Sequence, residues 1–470
     1  MSRTRRAPTL AGTGEGVTAH TLLGMSNQDK TSMRRVAFAS SAGTTIEFYD
    51  FFIYGTAAAL VFPTVFFPAL GDSAATVASF ATFAVAFIAR PFGAVLFGHF
   101  GDRLGRKKTL ISTLLLMGTA TVLIGLLPSA NSIGVVAPIL LVALRFVQGL
   151  SVGGEWAGAT LLAAEYAPAD KRGLYAVFPQ IGPAFAFALS TGTFLLVNLV
   201  IGEASPAFVE WGWRVPFLAS SLLVLIGLYV RLKVEETPMF REAEAKPRIK
   251  TQAPFAGAIR HQWREILIAG GALAMLFAFF YIGTAYLTSY GTAVVGLSRA
   301  TVLGIGMGGA VVFGAVIALS AIYSDHIGRK RIVLASCVVA VPWGLALFPI
   351  LDHGTAVTFA IGLYGTLVIF AASYGPAGAL LPEMFRTEYR YTGAGIAYNL
   401  AGVIGGGTAP MIASRLSDAG NASAIGWVLA GFGLLSVVCA LMLPETKSRS
   451  MEDTRDEITD EPLVETAVPA

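Results

Sequence analysis

Cysteine, histidine and charge are scarce in this chain, and each scarcity closes off a class of protein. Its 470 residues include two cysteines, Cys337 and Cys439, both inside apolar runs, so there is no disulfide framework. Five scattered histidines give no Cys/His ligand spacing, and neither a metal nor another cofactor is expected. Only 13% of residues are charged against 55% hydrophobic, with mean hydropathy +0.67, which leaves too little polar surface for a soluble fold. No His-Glu-x-x-His run or paired nucleophile and base marks an enzyme, and no repeated charged ring or filter marks a channel. The first thirty residues are rich in Gly, Thr and Arg without an apolar core, which excludes a signal peptide.

What the chain has is apolar length. A helix needs about 20 residues to cross a bilayer, and twelve runs qualify. They lie at 36–61, 74–97, 109–127, 138–164, 175–201 and 213–230, then at 266–290, 300–323, 332–351, 355–381, 392–414 and 424–443. The expected fold is an all-α membrane protein with twelve transmembrane helices in two six-helix bundles, residues 34–230 and 266–443. A disordered N-terminus (1–33), a linker (231–265) and a solvated acidic tail (444–470) complete the chain. Met25 and Met33 are alternative translation starts, since nothing before Arg34 is needed for insertion. The 52 glycines suit close helix packing in lipid.

Lys and Arg set the orientation. With the N-terminus inside, 28 of the 33 basic residues fall on the cytoplasmic side, against Arg214, Arg299 and Arg415 outside and Arg90 and Arg145 within helices. Both termini are therefore expected in the cytoplasm, and the net charge of +4 reads as topology, not as nucleic-acid binding.

The halves repeat each other. Gly98-His-Phe-Gly-Asp102-Arg103-Leu-Gly105-Arg106-Lys-Lys, a charged turn between two apolar runs, is echoed by Asp325-His-Ile-Gly328-Arg329-Lys-Arg, its Gly-Arg-Lys 223 residues further on. Glu165 with Arg172 recurs as Glu383 with Arg390, each pair seven residues apart, and Glu236-Thr237 recurs as Glu445-Thr446. Three matched pairs in one order indicate a duplicated six-helix unit. Such repeats place a solute site near the midplane, between bundles that rock for alternating access.

Several motifs carry a family resemblance: Ile46-Glu-Phe-Tyr-Asp50-Phe, Ala89-Arg-Pro-Phe-Gly93, Arg145-Phe-Val-Gln-Gly149, Gly153-Gly-Glu155-Trp156 and Gly212-Trp-Arg-Val-Pro216-Phe. From Arg34 to Lys447 the chain resembles a major facilitator superfamily transporter, and these motifs resemble the metabolite:proton symporter family. The resemblance implies proton-coupled uptake across the inner membrane of an organic acid such as shikimate or a di- or tricarboxylate. Proline or glycine betaine is the alternative solute, and efflux or uniport is less favoured. Gly182-Pro183 is followed by Ala-Phe-Ala-Phe and not by the paired small glycines expected of a drug antiporter. The expected partners are the solute, protons and the bilayer, and the expected state is a monomer. Ala321, His326 and Arg386 depart from the family pattern.

Ionisable residues at membrane depth cost at least ~2.5 kcal/mol each and so mark function. At 1.5 Å per residue, Glu47, Arg90 and Glu155 come out at about 15–18 Å from the cytoplasmic end, Asp50 at about 22 Å and Arg145 at about 30 Å. Helices 7 to 12 contain none. Asp50 and Arg145 resemble the helix 1 and helix 4 coupling pair of proton-linked sugar porters. An Asp beside Arg stays ionised and takes a proton when that partner is lost, so Asp50 is the expected proton carrier. Static ion pairing is the bland reading. Arg90 would anchor a carboxylate, or Glu47 or Glu155 beside Trp156 would meet a betaine cation. Gln148, Gln180, Tyr281, Tyr286, Tyr374, Tyr398 and Asn399 are further candidates for the cavity wall. Gly98, Asp102, Arg103, Gly105, Arg106, Glu165 and Arg172, facing Asp325, Gly328, Arg329, Glu383 and Arg390, would form a cytoplasmic gate.

Overall fold

The computed structural model describes residues 27–104, 106–153, 155–168, 170–202, 205–233, 254–386, 389–447 and 449. Among these, every regular element is helical. The first six rods are α1 (Asn27–Leu60), α2 (Asp72–Leu104), α3 (Arg106–Leu126), α4 (Val136–Val152 and Glu155–Tyr166), α5 (Arg172–Gln180 and Gly182–Ile201) and α6 (Arg214–Lys233). Next comes α7, built from Pro254–Ala272, Ala274–Tyr281 and Leu287–Ala293 around a π turn at Ile282–Tyr286. Then follow α8 (Arg299–Ile327), α9 (Arg329–Leu351) and α10 (Ala356–Met384). The last two are α11, Arg390–Ala401 and Ala409–Asp418 around a π turn at Gly402–Gly407, and α12 (Ala422–Met442). Ten rods hold a stretch long and apolar enough to cross a membrane; α3 has the shorter apolar stretch Ile111–Leu126, and α1 carries Glu47 and Asp50 in mid-run.

Helix ends differ from the apolar runs, because the hydrogen-bond ladder continues past the last apolar residue into the polar region. α1 begins at Asn27, so the stretch expected to be disordered to residue 33 is helical at its inner end. Likewise α6 runs to Lys233 and α7 starts at Pro254, both inside the expected linker. α10 continues to Met384 and takes Glu383 into its last turn, 3% exposed. Glu383, expected just past the end of helix 10, is instead part of that end.

The rods of the two halves meet along α5 with α8, α2 with α11, and α1 with the middle of α7. Of the ten long apolar rods α7 is the most enclosed, with nearly all of its apolar stretch buried. Phe52 of α1 lies 4.9 Å from Phe187 of α5 and 5.4 Å from Phe280 of α7, so aromatic rings fill this seam.

Within the first half, α2 and α4 cross in close backbone contact. A side chain at Gly93 would strike the Leu150 backbone, one at Gly149 the Ala86 backbone, and one at Gly153 the Arg90 carbonyl. Small residues let membrane helices approach this closely, and here they press the Arg90 backbone against the break in α4. Gly149-Leu-Ser151-Val-Gly153 also has the Gly-x-Ser-x-Gly spacing of a hydrolase elbow, which requires a strand-to-helix turn. Here the serine lies in the last turns of a helix and donates to the Val147 carbonyl at 2.9 Å, so the spacing serves packing.

Candidate functional site

One small cavity lies where α1, α2, α4 and α11 converge. It is lined by Glu47, Arg90, Val152, Gly153, Trp156, Ala157, Gly395, Tyr398 and Asn399. Five of the residues singled out in the sequence, Glu47, Arg90, Trp156, Tyr398 and Asn399, thus share one chamber. Its volume is about 10 Å³, room for about one water, so a solute requires it to open.

Arg90 is 3% exposed, and its guanidinium lies 4.5 Å from the ring centres of both Phe51 and Phe87. Its Nε is buried without a hydrogen-bond partner. Trp156 stacks on Tyr398, with centroids 3.7 Å apart and planes 6° from parallel. Its indole N–H faces Gln180 Oε1 at 3.1 Å and the Tyr374 hydroxyl at 3.2 Å, and Gln180 Nε2 donates to the Tyr374 carbonyl at 2.6 Å. Gln180 and Tyr374 therefore stand behind the chamber wall and hold the indole. Asn399 Nδ2 donates to the Gly153 carbonyl at 2.9 Å, so a residue of the second half satisfies the break in α4. Glu155 is buried in the first turn after that break, outside the cavity lining. Tyr281 packs edge-on against Phe83 and Phe87, also outside the lining.

Asp50 and Arg145 do not touch as a pair. Asp50 is 1% exposed; its Oδ2 accepts from Thr121 Oγ1 of α3 and its Oδ1 from Ser220 Oγ of α6, both at 2.7 Å. Arg145 is fully buried, and its guanidinium lies 4.4 Å from Phe51, 3.9 Å from Tyr54 and 5.2 Å from Phe83. One of its N–H groups donates to Gln148 Oε1 at 3.1 Å, and Gln148 Nε2 donates to Thr121 Oγ1 at 2.7 Å. The expected direct pair is corrected to a chain, Asp50–Thr121–Gln148–Arg145, because the aromatic faces of α1 and α2 hold the guanidinium instead. Gln148 belongs to this chain and not to the cavity lining. Thr121 and Ser220 were missed, since single hydroxyls in apolar helices are ordinary in sequence.

At the end of the bundle rich in basic residues, Arg172 of α5 pairs with Glu383 of α10 at 3.5 Å. Arg329 of α9 reaches the same carboxylate at 3.4 Å and Asp325 at 2.8 Å. Asp325 in turn accepts from the Gly173 and Leu174 backbone N–H groups at 2.8 and 2.9 Å. An aspartate of the second half thus caps the α5 N-terminus of the first, where the helix dipole favours negative charge. Gly328, with φ of 110°, supplies the bend that only glycine adopts readily. Arg390 is buried and donates to the Phe385 carbonyl at 3.3 Å. Gly105 and the side chains of Asp102, Arg103, Arg106 and Glu165, with the surroundings of Gly98, lie outside the described residues.

The tail does not begin as a solvated end. Glu445 Oε1 accepts from the Arg329 backbone N–H at 2.9 Å, Thr446 Oγ1 donates to Glu383 Oε2 at 2.6 Å, and the Arg449 carbonyl accepts from Arg172 at 3.0 Å. Glu445, Thr446 and Arg449 tie together the charged groups they follow. At the opposite end, Arg299 of α8 donates to Asn198 Oδ1 of α5 at 3.0 Å and lies 4.0 Å over the Phe208 ring. Polar contacts between the halves therefore close the bundle above and below the chamber.

A helical membrane bundle with buried opposite charges at mid-depth and closures at both ends is the architecture of a solute transporter. The chain belongs to the sugar (and other) transporter family of the major facilitator superfamily, whose model matches residues 36–253 and again 242–457. The double match agrees with two pseudo-symmetric six-helix bundles. The chain is 43% identical over 426 residues to the inner membrane metabolite transport protein YhjE of Escherichia coli (strain K12), covering 89% of this chain and 96% of that one. It is 39% identical to the shikimate transporter of the same strain, over 88% and 95% of the two chains, and 31% identical to its proline/betaine transporter, over 90% and 86%. Among solved structures, the proton:xylose symporter XylE superposes with a TM-score of 0.71 at 20% identity, over 90% of this chain and 98% of that one. The protein is a membrane transporter and not an enzyme.

Proposed function

We propose that this transporter carries a small organic acid inward across the inner membrane together with a proton, with both chain ends in the cytoplasm. The observation that carries the choice of solute is the pair of buried guanidiniums around Phe51. Arg90 and Arg145 lie about equally close to that ring, and each keeps a buried Nε without a partner. Desolvated cations with N–H groups to spare are suited to an incoming carboxylate, and an arginine fork binds one in two-point fashion. Arg90 lines the chamber and is assigned as anchor. Asp50 is assigned as proton carrier, with Arg145 as the fixed charge that acts on it through Gln148 and Thr121.

In this reading residues 34–230 and 266–443 rock about the chamber. Arg172, Asp325, Arg329 and Glu383 form the inner gate, and Arg299 with Asn198 the outer one. Ion pairs made only while the inner side is closed favour the outward-facing state, so their loss gives the two-state element that solute and proton bias.

A specific observation favours a second solute class. The Trp156–Tyr398 stack stands beside Glu47 in the chamber, and aromatic faces next to a carboxylate suit the quaternary ammonium of a betaine. Uptake of labelled shikimate, 2-oxoglutarate, citrate, proline and betaine into proteoliposomes, with an inward proton gradient and with a protonophore, decides between them. Accumulation of an acid that the protonophore collapses supports the first reading. Accumulation of betaine alone supports the second, and gradient-independent equilibration rejects proton coupling.

A further inference from the structure

We infer that Thr121 is a hydroxyl rotor that lets buried Asp50 gain and lose its proton with every hydrogen bond kept, and that Ser220 fixes the other carboxylate oxygen meanwhile. The inference rests on the reading of Asp50 as proton carrier.

The geometry supplies two complete arrangements. Thr121 Oγ1 lies 2.7 Å from Asp50 Oδ2 and 3.0 Å from the Met117 carbonyl, and it accepts from Gln148 Nε2 at 2.7 Å. A hydroxyl has one proton to donate and two lone pairs with which to accept. With Asp50 ionised, Thr121 donates to Oδ2 and accepts from Gln148. When a proton from the aqueous phase adds to Oδ2, the carboxylic acid donates to Thr121 Oγ1, and the threonine turns its own proton onto the Met117 carbonyl. The threonine then accepts from both Asp50 and Gln148. One O–H bond forms on the acid, none is lost on the threonine, and release of the proton to water reverses the sequence.

An unsatisfied buried polar group costs about 1–3 kcal/mol, and this rotation avoids leaving one in either state. Ser220 Oγ stays on Oδ1 at 2.7 Å throughout, holding the carboxylate plane. Gln148 spans from Thr121 to the Arg145 guanidinium, so the charge is linked to the acid through neutral dipoles and not through a contact that must break. Among the described residues, Arg145 of α4 is the charged group that faces Asp50 from a neighbouring helix. α3 and α6 offer the two hydroxyls, and Tyr49, next to Asp50 on α1, is engaged with the Pro216 carbonyl at 3.1 Å.

The test is the pH profile of gradient-driven uptake, read beside solute counterflow, for wild type, Asp50→Asn, Thr121→Val and Thr121→Ser. Thr121→Val keeps the shape and removes the rotor. Its half-maximal pH should move alkaline by roughly one unit, a tenfold change equal to about 1.4 kcal/mol, because the ionised acid loses its stronger, charge-assisted bond. Counterflow should be retained, and Thr121→Ser should restore the wild-type profile. A wild-type profile in Thr121→Val, or a serine variant that behaves like valine, overturns the rotor while leaving Asp50 as carrier. Full accumulation by Asp50→Asn overturns the carrier reading itself.

Discussion

Arg172 of the first half and Glu383 of the second meet at 3.5 Å, with the glutamate side chain fully enclosed. The contact crosses the line along which the halves must separate if solute is to leave toward the basic end. Glu383 also holds Arg329 and the Thr446 hydroxyl, so one carboxylate joins α5, α9, α10 and the tail.

Replacing Glu383 by Gln removes the counter-charge of buried Arg172 and leaves Arg329 with Asp325 alone. Removing one partner of a buried pair costs about 3–5 kcal/mol. The variant should melt at a lower temperature in detergent and should populate the inward-open form, as seen in distances between spin labels on α5 and α8. Wild-type populations would show that the contact does not act as a gate.

Arg90→Lys keeps the charge but loses the planar fork. Hydrogen bonds to charged groups are worth about 1.5–3 kcal/mol, so affinity for a carboxylate solute should fall roughly ten- to a hundredfold. Equilibrium binding of the labelled solute measures this, and unchanged affinity would reject Arg90 as anchor.

Asp50→Asn removes the exchangeable proton while keeping the size of the side chain. Accumulation against a gradient should vanish, and exchange of labelled for unlabelled solute should persist. The flux ratio with and without protonophore should then equal one across the pH range in which the wild type responds.

Trp156→Phe preserves ring stacking on Tyr398 but cuts the indole N–H from Gln180 and Tyr374. Stacked aromatic pairs contribute about 0.5–1.5 kcal/mol beyond area burial, so Phe should stay within a few-fold of wild-type transport, whereas Ala should open the chamber to thiol reagents at a cysteine placed at Gly395. Equal labelling of the two variants would show that the stack does not hold the chamber closed.

Much of the fold was legible because bilayer thickness writes itself into apolar run length, and duplication writes itself into the paired Gly-Arg-Lys turns. Glu47 and Arg90, which line one cavity, were legible as candidates for the same reason: charge at membrane depth is costly enough to stand out. Thr121 and Ser220 were not, since a hydroxyl in a helix can bond to its own backbone and carries no signal of its own. Arg145 was misjudged by distance along the axis, which cannot register the rings of Phe51, Tyr54 and Phe83 that take the guanidinium aside. The tail, 444–470, was read as solvated from its acidic composition, while its first residues are bound through Glu445 and Thr446 to groups far away in sequence.

The glycine crossing of α2 and α4 bears on how force is transmitted. With Gly93, Gly149 and Gly153 each seated against the opposing backbone, the two helices are keyed together as a single plate over several turns. Arg90 rides on one member of that plate and Arg145 on the other, so under the proposed rocking motion their separation should stay fixed. In the proposed cycle the distance from solute anchor to coupling charge would be a constant of the machine, and the moving parts would be those of the second half, Tyr398 and Asn399, approaching the plate to shut the chamber and withdrawing to empty it.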